Sequence, residues 1–286
     1  MSTLTGTLSN PKGITGFIKR NPVISMYAIM FAIAWSVMIP QALHSQGILG
    51  QPIPEILEIL IGWSPAIASI LVSAVIAGGA AVRELLKRFL IWRVGLRWYV
   101  LGALLMAVLI LGGIGLHVLF GGRMPAIPAA EAPLWQLPFI VLLLVLMGFL
   151  FNTEEVAWRG FALPRLQRRF GPLGAVLLIA IPESFLHLPL FWMKENPFFQ
   201  TVGLYWYSAF SIAAVVLYMY IFNKTKGSLL IVTLLHASQN TWANLLSDNS
   251  ASPFHYTVVL TWLVALALIV LTRGMLGYEA DKHESR

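Results

Sequence analysis

Two adjacent carboxylates and an arginine close the apolar run Leu134 to Phe151, in the order Asn152-Thr153-Glu154-Glu155-Val156-Ala157-Trp158-Arg159. A charge at membrane depth costs somewhere between ~3 and ~10 kcal/mol, so such groups are as a rule paired and functional. On a helix Glu155 and Arg159 are four apart and stack on one face, with the acid on the N-terminal side. Glu154 is turned about 100° away and gets no partner from that spacing. Two of the six histidines also lie inside apolar runs. His187 follows Glu183 by four residues and His236 precedes Asn240 by four, so three stretches each carry an i,i+4 polar pair. Each unpaired polar group facing lipid would cost about 2–7 kcal/mol. Turning all three stripes to one interior avoids that cost and supplies Glu154 with partners. Of the other histidines, His44 and His255 lie at span ends and His283 in the tail, where they read as interfacial or solvated. His117 has no polar neighbour in the chain that gives it a role.

Two histidines and a carboxylate can hold a divalent metal such as Zn2+, with one position open to water. They can also orient a water without metal, with a glutamate as general base. Both versions are hydrolytic: water attacks a carbonyl, and Asn240 and a histidine stabilise the oxyanion. Nucleophilic alternatives fare worse. Ser184 is only three residues from His187, there is no G-x-S-x-G elbow, and the chain has no cysteine. On the residues alone a proton or ion pathway and a purely structural polar network also remain open.

The elements that must position these groups are membrane helices. Of 286 residues 58% are hydrophobic and 11% charged, against about 25% charged in soluble proteins. The net charge of +7 does not mark a nucleic-acid binder, because the basic residues fall between apolar runs. Runs near the ~20 residues of a spanning helix occur at about 22–43, 56–81, 98–120, 134–153, 172–192, 201–222, 228–247 and 254–273. The expected fold is therefore an all-α bundle of about eight transmembrane helices around a polar intramembrane site. Residues 1–21 form a tail, 22–275 one membrane domain, and 276–286 a second tail. The first run exceeds a signal-peptide core and has no convincing cleavage site, so it is read as a retained span. Of the 19 Lys and Arg residues all but Arg123 and Lys194 fall on one side of this topology, with Arg159 counted among the loop residues. Lys and Arg gather in cytoplasmic loops, which places both termini in the cytoplasm. Arg83 to Trp98 reads either as a helix in the interface, burying Leu85, Leu86, Phe89 and Leu90, or as a plain basic loop. Pro65 kinks the second span, a tolerable break where neighbours satisfy the freed backbone.

At Glu-Glu-x-x-x-Arg (154–159), a histidine in the next span (His187) and His-x-x-x-Asn (236–240), the sequence resembles the CPBP family. That family comprises CAAX-type prenyl endopeptidases and bacteriocin-processing or immunity homologues, also described as Abi-type. The similarity extends to Trp63-Ser64-Pro65, the stretch from Arg83 to Tyr99, Trp158-Arg159-Gly160-Phe161 with Leu163-Pro164, and His187-Leu188-Pro189, with the core motifs inside about 130–247. The resemblance implies an intramembrane endopeptidase in which Glu154 activates a water held by His187, His236 and Asn240, while Glu155 pairs with Arg159. If a metal is bound, His187, His236 and Glu154 would hold it; metal-independent water activation is equally compatible with the motifs. It also implies membrane lipid and a peptide or lipidated peptide as partners, with no nucleic acid, in the plasma membrane of a prokaryote. A non-enzymatic immunity or scaffold protein of the same family is the alternative, and a proton-coupled transporter a more distant one.

One residue departs from the pattern. The family's second motif is Phe-x-x-x-His, but Glu183 stands four before His187. It is either drift, hydrogen-bonded or protonated in the bundle, or an extra group that tightens metal binding or orients His187. Helical rise adds a geometric tension. Glu154 falls near the cytoplasmic end of its span, and His187 near the opposite end if the next span starts at Pro172. Either that span is tilted and entered later, or Phe161 to Phe170 is partly buried. The site is expected to be reached from the cytoplasm.

Overall fold

In the computed structural model, which describes residues 13–279, every regular element is helical. The helices are α1 (Gly13–Arg20), α2 (Pro22–Ser45), α3 (Ile59–Leu86), α4 (Leu96–Leu119), α5 (Leu137–Phe151), α6 (Leu163–Leu186), α7 (Pro197–Lys224), α8 (Leu229–Leu246) and α9 (Ala251–Leu271). A π-helical segment, Val156–Ala162, joins α5 to α6. The expected tails lie partly outside the described residues, at 1–12 and 280–286, whereas Gly13–Arg20 of the first tail is helical.

All eight apolar runs become helical, but only 6 helical stretches among the described residues are both long and apolar enough to cross a membrane. The two runs that fall short flank the site: Glu154 follows the end of one, and His236 and Asn240 lie on the other. Helix α5 has 15 residues and stops at Asn152, whose backbone turns extended (φ −110°, ψ 100°). None of its side chains is fully buried: the face with Ile140, Val141, Leu144 and Gly148 is half-buried in the protein, and the opposite face, with Phe139, Leu142, Leu143 and Leu146, is exposed to lipid. Helix α8 has 18 residues, and its second half carries His236, Ser238, Gln239, Asn240 and Thr241. Its polar face looks into the protein, which lowers its hydropathy.

The expected fifth span starts where drawn, at Pro172, but a buried arm precedes it. Gly171 takes φ 71° and ψ 170°, a left-handed conformation that glycine adopts without strain. The chain folds back there: Arg159 and Glu183, each twelve residues from Gly171, approach to 3.5 Å. Phe161, Ala162, Leu163 and Leu166 are buried on the first arm, so the second of the two expected resolutions is the one observed. At 1.5 Å per residue both arms run about 25 Å from the turn, which brings Glu154 and His187 to the same depth. The outgoing arm lies parallel to α2, fixed by Tyr27 O–H donating to the Leu178 carbonyl at 2.9 Å and Trp35 Nε1–H to that of Leu186 at 3.0 Å.

Side-chain contacts identify the two ends of the bundle. At one end Ser228 Oγ–H donates to the Ile91 carbonyl (2.7 Å) and Asn223 Nδ2–H to that of Leu276 (3.0 Å). The Arg88 guanidinium there lies over the Phe222 ring at 5.7 Å. At the other end the Lys194 amide donates to Ser45 Oγ (2.7 Å) and the Ala126 amide to Asp248 Oδ2 (3.3 Å). His117, which had no role from sequence, bridges the Arg123 carbonyl (3.0 Å) and Ser252 Oγ (2.9 Å) at this second end. The basic loops converge on the first end. Arg159 leaves that group: it is 1% exposed and interior, not a loop residue.

The stretch from Arg83 combines features of both expected readings. Backbone breaks at Ala77 and Gly78 separate a short terminal helix from the body of α3, and a 3-10 turn at Lys87–Leu90 continues it. Only Leu85 of the four expected apolar residues is buried in the protein; Leu86 and Leu90 are exposed and Phe89 is half-buried. The break at Pro65 is repaired by Thr153. Its hydroxyl donates to the Gly62 carbonyl (2.7 Å) and accepts from the Ala66 amide (3.1 Å), bridging the α3 ladder beside the proline. A Cβ at Gly62 would overlap the Phe151 carbonyl, so the two chains need that glycine to approach.

Candidate active site

The site is built where α5 ends. Asn152 Oδ1 accepts the Glu154 amide at 3.2 Å, an Asx turn that stops the helix and starts the π segment. Because Oδ1 is occupied in this way, the amide Nδ2 points to His236 Nε2, 3.0 Å away. On the other side of the ring, His236 Nδ1 lies 2.8 Å from Glu155 Oε1. A carboxylate only accepts and an amide Nδ2 only donates. His236 is thereby set as the Nδ1–H tautomer, with its Nε2 lone pair taken by Asn152.

Glu155 also accepts from Arg159 Nη1 at 3.1 Å, and both side chains are 1% exposed. Arg159 reaches Glu183 Oε2 at 3.5 Å and stacks over the Tyr218 ring at 4.4 Å. One guanidinium therefore serves two carboxylates, and removing either side of such a buried pair costs about 3–5 kcal/mol. Glu155 both braces Arg159 and orients His236.

Glu154 is not without a helical neighbour. Trp158, four residues on and buried, donates its indole N–H to Oε2 at 2.9 Å. Attention to charged partners misses an indole donor at the same spacing. The bond leaves Oε1 facing His187 Nε2 at 3.8 Å. His187 Nδ1 is 2.8 Å from the carbonyl of Glu183, which can only accept, so the ring carries its proton on Nδ1 and turns the Nε2 lone pair toward Glu154. Glu183 thus orients His187 through its backbone, while its carboxylate is drawn to Arg159.

Glu154, Glu183, His187, His236 and Asn240 all line one cavity of about 420 Å³. Asn240 faces that space, four residues beyond His236, but it is Asn152 that bonds the imidazole. One wall is amide-rich, with Gln239 and Asn244; the facing wall is aromatic, with Phe199 and Tyr207 beside His187 at ring separations of 6.2 and 5.4 Å. The close approach of α5 and α8 depends on Gly148, where a Cβ would meet the Ala237 Cβ at 2.7 Å.

The fit to a metal is incomplete. His187 and Glu154 present free donor atoms, but Asn152 occupies His236 Nε2. Among the described residues no group of three His, Cys, Asp or Glu is arranged to hold a metal ion. The cavity ends at Pro125, Asn196, Asp248 and Asn249, loop residues of the end opposite the one where the basic loops meet.

Fold and site together define a multi-pass helical membrane protein whose bundle holds a polar cavity lined by carboxylates and histidines. Comparison with known proteins narrows the class. Residues 132–242 match the family model for the type II CAAX prenyl endopeptidases, Rce1-like. The curated CAAX prenyl protease 2 of Methanococcus maripaludis is 28% identical over 180 residues, 60% of this chain and 65% of that protein. The chain is thus similar to CAAX prenyl proteases over part of its length, and the segment matched by the family model contains Glu154, His187, His236 and Asn240.

Proposed function

We propose that this protein is an intramembrane endopeptidase that hydrolyses a peptide bond of a membrane-associated or lipidated peptide. The observation that carries this is the 3.8 Å gap between Glu154 Oε1 and His187 Nε2, two acceptors aimed at each other on the cavity wall. A water between them donates one proton to each, and its oxygen lone pair faces the cavity. As it attacks the scissile carbonyl, its O–H bond to Glu154 breaks and a C–O bond forms. The amide of Asn240, which lines the same cavity, donates to the oxyanion in this reading. Glu154 then delivers its proton to the amide nitrogen as the C–N bond breaks, leaving an amine and a carboxylic acid whose remaining proton, the one held toward His187 Nε2, passes to the amine to give a carboxylate and an ammonium group. Glu155, Arg159 and Trp158 are positioning residues, as is Asn152 through His236.

General-base catalysis of this kind contributes about 10²–10⁴-fold. The family supports the reaction class, and the relative's name, CAAX prenyl protease, supports a lipidated peptide in the membrane. Of the two versions, with and without metal, the residues favour the metal-free one, because Asn152 occupies His236 Nε2. A peptide-cleavage profile of detergent-purified protein tests the proposal. Cleavage that is lost in Glu154→Ala supports it, and a Glu154→Ala protein as active as wild type removes Glu154 from the mechanism.

A further inference from the structure

From the direction of its cavity we infer that this site takes its substrate from the extracytoplasmic side of the membrane, as an apolar peptide segment presented in or above the outer leaflet. The substrate class deepens the endopeptidase reading above and rests on it; the side of access does not. Two independent features meet in this inference.

The first is the charge of the two ends. Lys19, Arg20, Arg83, Lys87, Arg88, Arg93, Arg97, Arg165, Arg168, Arg169, Lys224, Lys226 and Arg273 lie toward the end where residues 88–91, 167–173, 223–228 and 274–277 are joined. Arg123 and Lys194 are the described cations of the other end, which also holds Glu55, Glu58, Glu131, Glu195 and Asp248. Lys and Arg are retained on the cytoplasmic side of the membrane, so the end bearing Asp248 is the outer one.

The second is the course of the cavity. Glu154, Glu183 and Tyr218 lie at its inner limit, and from there it follows α7 and α8 outward. On α8 it passes His236, Asn240, Ala243 and Ser247, about 16 Å of helix in the direction of Asn249. Below the site, the buried ring of Phe222 and the Gln167–Asn223 pair (3.3 Å) fill the space toward the basic end. The mouth is structurally fixed, since Asp248 is bonded to the amides of Ala126 (3.3 Å) and Ser250 (3.0 Å). Its walls match an extended apolar peptide. Phe198, Phe199 and Phe254 form a contiguous aromatic face, with ring centroids 5.3 and 5.1 Å apart, in the same cavity that Asn240 and Asn244 line.

The chain has no cysteine, so a single introduced thiol reports without background. Ser247→Cys and, as a second reporter on the same wall, Ala243→Cys mark the cavity; Arg168→Cys marks the opposite end. Each full-length variant is treated in sealed right-side-out vesicles with a membrane-impermeant maleimide. The expected result is labelling of Ser247→Cys or Ala243→Cys before permeabilisation and of Arg168→Cys only after it. The reverse pattern overturns the inference, as does a cavity thiol that reacts only in detergent. Labelling is independent of turnover: an inactive protein labelled from outside would remove the endopeptidase reading and leave the side of access standing.

Discussion

Replacing Glu154 by glutamine retains an acceptor for the Trp158 indole but removes the base, so cleavage should fall by about 10²–10⁴-fold with the melting temperature unchanged. Glu155 behaves differently because it binds both Arg159 and His236. Glu155→Ala strands a buried guanidinium and should destabilise the fold by about 3–5 kcal/mol, read from thermal unfolding in detergent. An unfolding temperature equal to wild type would contradict that division of labour. The division itself was legible in sequence from the four-residue spacing of Glu155 and Arg159. The indole of Trp158 and the amide of Asn152 were not. Both act through neutral hydrogen bonds, and a search for charges passes over them. Asn152 was marked only by its place before the acid pair, where an Asx turn ends an apolar helix.

At the scale of elements, the alignment of site residues depends on how closely α5 approaches α8. Gly148→Ala places a methyl against the Ala237 Cβ and should cost about 1–3 kcal/mol by overpacking, with a loss of activity larger than the loss of stability explains. Ala237→Gly in the same protein should restore both, and failure of that rescue would assign the defect elsewhere. The eight apolar runs were read directly because an uninterrupted apolar stretch at membrane length has few other uses. The hairpin at Gly171 was hidden: Phe161 to Phe170 mixes arginines with apolar residues and reads as a loop. A lone glycine in a helical pattern does not say that the chain reverses there. That reversal is why Glu154 and His187, which sequence placed at opposite depths, face each other at 3.8 Å.

For the whole molecule, the counts of Lys and Arg gave the same two ends that the side-chain contacts define. The direction of the cavity could not be read from them, because it depends on which halves of α7 and α8 pack tightly. The Asn152–His236 bond also bears on the protein as it would be purified. With His236 Nε2 engaged, cleavage should survive a strong chelator within about twofold; abolition by chelator and recovery on adding Zn2+ would show that Asn152 yields to a metal. Glu154 and His187 acting as one unit on one water should be strongly non-additive, as residues that act together are. The direct measurement is the cleavage rate of Glu154→Gln, His187→Ala and the double variant on one peptide. Each single variant should lose about 10²–10⁴-fold and the double variant no more than the worse single. Losses that multiply in the double variant, or wild-type cleavage by Glu154→Gln, would contradict a shared water.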